Sequence, residues 1–83
     1  MPTIWVEMPL KSNWPTRAEL ASREAAIRHL NAIAIGKCTG AGAGRGMMDF
    51  SYQVSDEASA KKAIDSAMQE LMPAVSFKIR VTP

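Results

Sequence analysis

"KCTGAGAGRGMMDFSY", Lys37 to Tyr52, carries glycine at every second position from Gly40 to Gly46 and then changes to alternating apolar and polar residues. Its second part is a strand. Met48, Phe50, Tyr52 and Val54 fall on one side, and Met47, Asp49, Ser51 and Gln53 on the other, the period of two that a half-buried strand requires. The glycine part must then supply a second strand, because a long irregular insert does not suit so short a chain. A tight loop around Gly44 to Gly46 closes the hairpin. It sets Phe50 against Gly40 and Tyr52 against Cys38. In that register Gly36, Cys38, Gly40 and Gly42 face inward, while Lys37, Thr39 and Ala41 face out. A slip of one residue would bury Lys37, which is costly. The glycines are thus expected to form a bare lane on the core side. Glycine weakens a strand, so the lane needs a reason. Close packing of a helix is the first, and a ligand cavity the second.

Outward from the hairpin, the other elements follow from period and punctuation. "TIWVEM" (Thr3 to Met8) alternates with Ile4, Val6 and Met8 inward. Two prolines break the chain in "PLKSNWP", and Thr16 with Glu19 three positions on forms a capping box. The first helix carries Leu20, Ile27, Leu30 and Ala34 at helical spacing and ends near "NAIAIG". "SDE" caps a second helix, on which Ala60, Ile64, Ala67, Met68 and Leu71 face inward until Pro73 stops it. "AVSFKIRV" (Ala74 to Val81) supplies the last strand, with Val75, Phe77, Ile79 and Val81 inward. The order is β-α-β-β-α-β. Right-handed crossovers fold it as one α+β domain over residues 1–83, a four-stranded antiparallel sheet in order 4-1-3-2 with both helices on one face. That is the ferredoxin-like arrangement.

Bulk properties set limits on function. The 83 residues hold ten Lys and Arg against eight Asp and Glu, a net charge of +2. This falls short of the dense basic patch of a nucleic-acid binder. The single cysteine, Cys38, cannot form an internal disulfide and suits a reducing, cytoplasmic compartment. The start "MPTIWVEMPLK" reads as no signal peptide, and no apolar run reaches the roughly 20 residues of a membrane span.

The residues that bear chemistry are few. "GAGAGRG" has neither dinucleotide nor Walker spacing, and a strand rather than a helix follows it. A small anion nest at the glycine turn beside Arg45 is the form of phosphate binding left to it. The lone histidine, His29, lies opposite the apolar stripe of its helix. No carboxylate pair or His/Cys cluster has catalytic or metal-ligand spacing, so no metal, cofactor or enzymatic activity is expected. Arg23 departs from its surroundings by falling inside the stripe of Leu20, Ile27 and Leu30. Its stem is expected to pack there while the guanidinium reaches water or Glu19; otherwise it meets a partner carboxylate or a bound anion at the sheet edge.

Two surfaces remain. Trp5 faces outward beside Lys78 and Arg80, and with Lys37 makes a candidate sheet-face site. Lys11, Trp14 and Arg45 gather at one end of the sheet, where the first strand-to-helix loop meets the hairpin tip. The topology resembles the RRM family, with "RGMMDFSY" where its octapeptide lies, but the base-stacking positions are Met47 and Asp49. The combination of "VEMPL", an arginine in the first helix, "IGKCTGAGAGRGMMDFSYQV" and "SDEASA" resembles small uncharacterised bacterial proteins with a glycine-alternating hairpin. Among small ferredoxin-like proteins some neutralise toxins, which implies a protein partner. The expected function is a non-enzymatic protein-interaction module, self-associating or binding a partner such as a toxin. The alternatives are RNA binding through Trp5, Lys37, Lys78 and Arg80, and a small anionic ligand held near Arg45.

Overall fold

A computed structural model describes residues 1–83. Six elements follow one another: β1 (Thr3–Pro9), α1 (Arg17–Ala32), β2 (Lys37–Gly44), β3 (Met47–Gln53), α2 (Glu57–Leu71) and β4 (Lys78–Thr82). The strands form one antiparallel sheet in the order β2-β3-β1-β4, with β2 and β4 as its edges. This is the ferredoxin-like α+β fold.

Alternation on the two central strands builds the core. Ile4, Val6 and Met8 of β1 and Met48, Phe50 and Tyr52 of β3 are fully or almost fully buried beneath the helices. The helices answer with Ala26, Ile27 and Leu30 of α1 and Ala60, Ile64, Ala67 and Met68 of α2. Phe50 and Tyr52 meet edge to face with ring centroids 6.1 Å apart, the geometry favoured by aromatic quadrupoles. The Tyr52 hydroxyl projects to α1, where the Ile27 carbonyl (3.0 Å) and Asn31 Oδ1 (2.7 Å) share its hydrogen.

Local chemistry fixes the element ends. Thr16 Oγ1 accepts from the Glu19 amide, and Glu19 Oε1 accepts from the Thr16 amide, closing the expected capping box. Asp56 caps α2 by accepting from the Ser59 amide and hydroxyl, and these bonds hold its carboxyl below the usual range. At the end of α1, Ala34 N–H bonds Asn31 O and Ile35 N–H bonds Leu30 O. This is a Schellman exit, with an alanine in the left-handed conformation (φ 55°) that glycine usually occupies. Ala34, expected in the apolar stripe, therefore lies beyond the helix and is exposed.

The hairpin exists, and its turn is Arg45-Gly46 with φ of 55° and 77°. Both values are positive, as a two-residue type I′ connection demands. Cys38 faces Tyr52 as expected, and Lys37, opposite Gln53, is exposed. Beyond that point the expected register fails. An irregularity between Cys38 and Gly40 sets Gly40 opposite Ser51, Ala41 opposite Phe50 and Gly42 opposite Asp49. One extra residue in β2 reverses the inward and outward sets. Ala41 and Ala43 now take the helix-facing side, and Gly40, Gly42 and Gly44 the open side. Thr39 sits in the bulge, its hydroxyl 2.8 Å from that of Ser51. The core-side glycine lane is thus corrected to a lane on the open face.

Neither expected reason for glycine holds there. A Cβ on Gly40 would find only Ser51 Oγ at 3.8 Å, and one on Gly42 would meet Asp49 Oδ1 at 3.3 Å. Gly36 alone shows a close approach: a Cβ there would lie 2.2 Å from the Gln53 carbonyl oxygen, so backbone rather than helix excludes a side chain. The last strand is also shorter than expected. Its ladder to β1 begins at Lys78 opposite Glu7, and β1 ends at Pro9, which has no N–H to extend pairing. Val75 and Phe77 pack against the core as partly buried side chains outside the ladder.

Candidate functional site

The eight residues proposed from sequence fall into four places. Trp5, Lys78 and Arg80 share the open face on adjacent strands. Arg80 pairs directly with Trp5 and lies over its indole ring at 5.2 Å from the centroid. Its Nε also donates to Glu7 Oε1 at 3.3 Å, and the indole N–H donates to Thr82 Oγ1 at 3.3 Å. Within the sheet, then, Trp5 has a cationic partner across one face of its ring, and that cation has a carboxylate. Lys37 stands on β2, at the opposite edge from Lys78 and Arg80. The four residues proposed to contact RNA do not form one patch.

Lys11, Trp14 and Arg45 do come together at the hairpin end. Leu10 N–H donates to the Gly46 carbonyl at 2.7 Å, and Gly46 N–H donates to the Asn13 carbonyl at 3.1 Å. These bonds clip the β1–α1 loop onto the turn. They also occupy the Gly46 N–H, a donor that an anion nest at the turn would use. Trp14 is 68% exposed, and its ring stands 3.8 Å from where a Gly44 Cβ would lie. At this end of the sheet a cleft of about 230 Å³ opens between the first turn of α1 and the α2–β4 connection, lined mainly by apolar side chains with Glu19 and Ser22. Glu19 is already engaged in the capping box.

Arg23 is the fourth place, and the structure gives it a role the sequence only partly suggested. Its side chain is 11% exposed. Nη1 donates to the Gly42 carbonyl of β2 at 3.0 Å, and Nη2 lies 3.4 Å from Glu24 Oε1. Nε is buried and has no partner. The expected pairing with Glu19 does not form, because Glu19 closes the cap. Arg23 instead crosses to the edge strand at the carbonyl between Ala41 and Ala43, the two positions where the bulge places small side chains on the helix side.

The edge itself is the remaining feature. β2 is bonded to β3 alone. No loop or turn backbone reaches residues 37–44, and Lys37, Thr39, Gly40, Ala41 and Ala43 are exposed. Proteins commonly protect such an edge with a charged side chain, a proline or a covering loop. Between Lys37 and Arg45 this strand has no charge and no proline. Sequence reasoning named the exposed edges only in general terms. The signal for this one was the run of five glycine and alanine residues from Gly40 to Gly44, ended by Arg45.

Among the side chains, no group of three or more His, Cys, Asp or Glu is placed to hold a metal ion. No helix is long and apolar enough to cross a membrane. Comparison with family models, curated proteins and solved structures finds no match to this chain.

Proposed function

We propose that the chain is a non-enzymatic protein-interaction module that receives an extended segment of its partner as a fifth strand beside β2. The observation that carries this is the eight-residue edge, which beyond Lys37 and its bulge has no charge, proline or covering loop. Backbone groups along such an edge supply affinity, and alternate side chains of the incoming strand supply specificity. The bare open-face positions Gly40 and Gly42 leave room for bulky side chains on that strand, since a large cross-strand neighbour can cover a glycine.

The test is selection of random octapeptides displayed on phage against the immobilised chain, followed by amide hydrogen exchange. The expected binders slow exchange at residues 37–44. Protection confined to Thr3–Glu7 and Lys78–Thr82, or failure to recover any binder, would sink the reading.

RNA binding is the second reading, supported by Trp5 on the open face with Arg80 and Lys78 on the neighbouring strand. It predicts affinity for a single-stranded oligonucleotide that weakens with salt and disappears in Trp5→Ala. The stacking of Arg80 on Trp5 and its link to Glu7 weigh against it, because a base would have to displace or share them.

A further inference from the structure

We propose that the strand received by β2 is acidic and belongs to a different protein, and that Arg23 reads one of its carboxylates. This rests on the β2-edge reading above and adds the chemistry of the occupant. The first argument is the state of Arg23. A side chain only 11% exposed leaves its guanidinium little water, yet its carboxylate contact is only Glu24, a sequence neighbour whose side chain is 54% exposed, at 3.4 Å. Nε keeps a buried hydrogen with no acceptor. A buried charge without a close counter-ion is costly. This one is fixed to the edge strand through Gly42 O, and the half-exposed Glu24 shows that the Nη2 side borders solvent. A carboxylate arriving along the edge on the helix-facing side would complete the guanidinium with a charge-assisted, forked contact.

The second argument is charge along the edge. Lys37 and Arg45 bracket β2, with only Gly, Ala, Thr and Cys between them. The chain's other edge, β4, presents Lys78 and Arg80. A second copy that offered either β2 or β4 to this edge would bring cations to cations, since opposed like charges on paired strands destabilise them. An acidic segment is matched to Lys37 and Arg45, and the carboxylate that opposes it at Arg23 is Glu24. The two faces of β2 then define a pattern. Carboxylates alternate on the side of Ala41, Ala43 and Arg23, and bulky side chains alternate on the side of Gly40 and Gly42.

The peptides recovered by the phage selection serve as probes, each synthesised with its acidic residues and again with Gln or Asn in their place. In the native protein the expected result is enrichment of Glu or Asp at alternate positions and about tenfold weaker binding of one amide form, the size of a charge-assisted hydrogen bond. In Arg23→Met the two forms should bind alike. Should Arg23→Met fail to fold, Glu24→Gln decides: freeing Nη2 is expected to tighten the acidic peptides about threefold and leave their amide forms unchanged. Binders without acidic residues, an equal amide penalty in native protein and Arg23→Met, or no effect of Glu24→Gln would overturn the proposal, while protection at residues 37–44 would leave the edge reading standing. A concentration-dependent dimer that Ala41→Pro abolishes would give the edge to a second copy and overturn it as well. Recovery of no peptide would remove both.

Discussion

β3 has two neighbours, and they are held to it by different physics. On the β1 side, Ile4, Val6 and Met8 lie beside Tyr52, Phe50 and Met48, all buried, so side chains and ladder act together. On the β2 side the same three residues of β3 face Cys38, Ala41 and Ala43. There the hydrogen-bond ladder does most of the work, assisted by the turn, the bulge and Arg23. One side of the strand stabilises the fold, and the other presents a backbone surface. A domain this small has a limited core to spend on both, and it concentrates its apolar side chains in the middle of the sheet.

The contrast can be tested by substitution. Phe50→Ala removes an aromatic ring shared by the two interfaces. It should cost about 3–5 kcal/mol in denaturant unfolding, enough to leave a marginal domain unfolded; a loss below 1 kcal/mol would mean that the core is not where the burial places it. Gly36→Ala and Gly40→Ala make a matched pair. The first drives a methyl into the Gln53 carbonyl and should cost about 1–3 kcal/mol. The second enters open space and should change stability by less than about 0.5 kcal/mol. Equal effects would show that the bulge does not lie between Cys38 and Gly40.

Tyr52→Phe refines the comparison through pH. Burial, aided by the nearby Cys38, pushes the Tyr52 hydroxyl up from 10.0 to about 12. The folded state therefore keeps a proton that the unfolded state releases, so this contribution is complete below pH 10 and is lost as the pH rises from 10 to 12. Tyr52→Phe should cost about 1–2 kcal/mol at neutral pH, because Ile27 O and Asn31 lose their donor. Its alkaline unfolding curve should be flatter than that of the native chain over that interval. Parallel curves would show that the hydroxyl is not held in the folded protein.

Much of this was legible in the sequence because the strong periodic signals lie where the core is. β1, β3 and α2 alternate or recur with few breaks, and Thr16, Asp56 and Pro73 mark helix ends with residues that have little other use there. The hairpin register followed from the burial cost of Lys37, and that constraint was correct at the residue it concerned. It did not carry along the strand. Gly and Ala offer almost no contrast in hydrophobicity, so nothing in "TGAGAG" reveals that a bulge has exchanged their faces. At the candidate site, the clustering of Lys11, Trp14 and Arg45 followed from topology alone. The destination of Arg23 did not, because a backbone carbonyl leaves no mark in composition or spacing.

The clip between the Arg45-Gly46 turn and the β1–α1 loop has a consequence for kinetics. With its tip tied down at Leu10 and Asn13 and its middle tied to α1 through Arg23, β2 is held in place before any visitor arrives. An incoming segment then gives up only its own conformational freedom on docking. Encounter needs no rearrangement of the host, so differences in affinity between visitors should be expressed in how long each one stays.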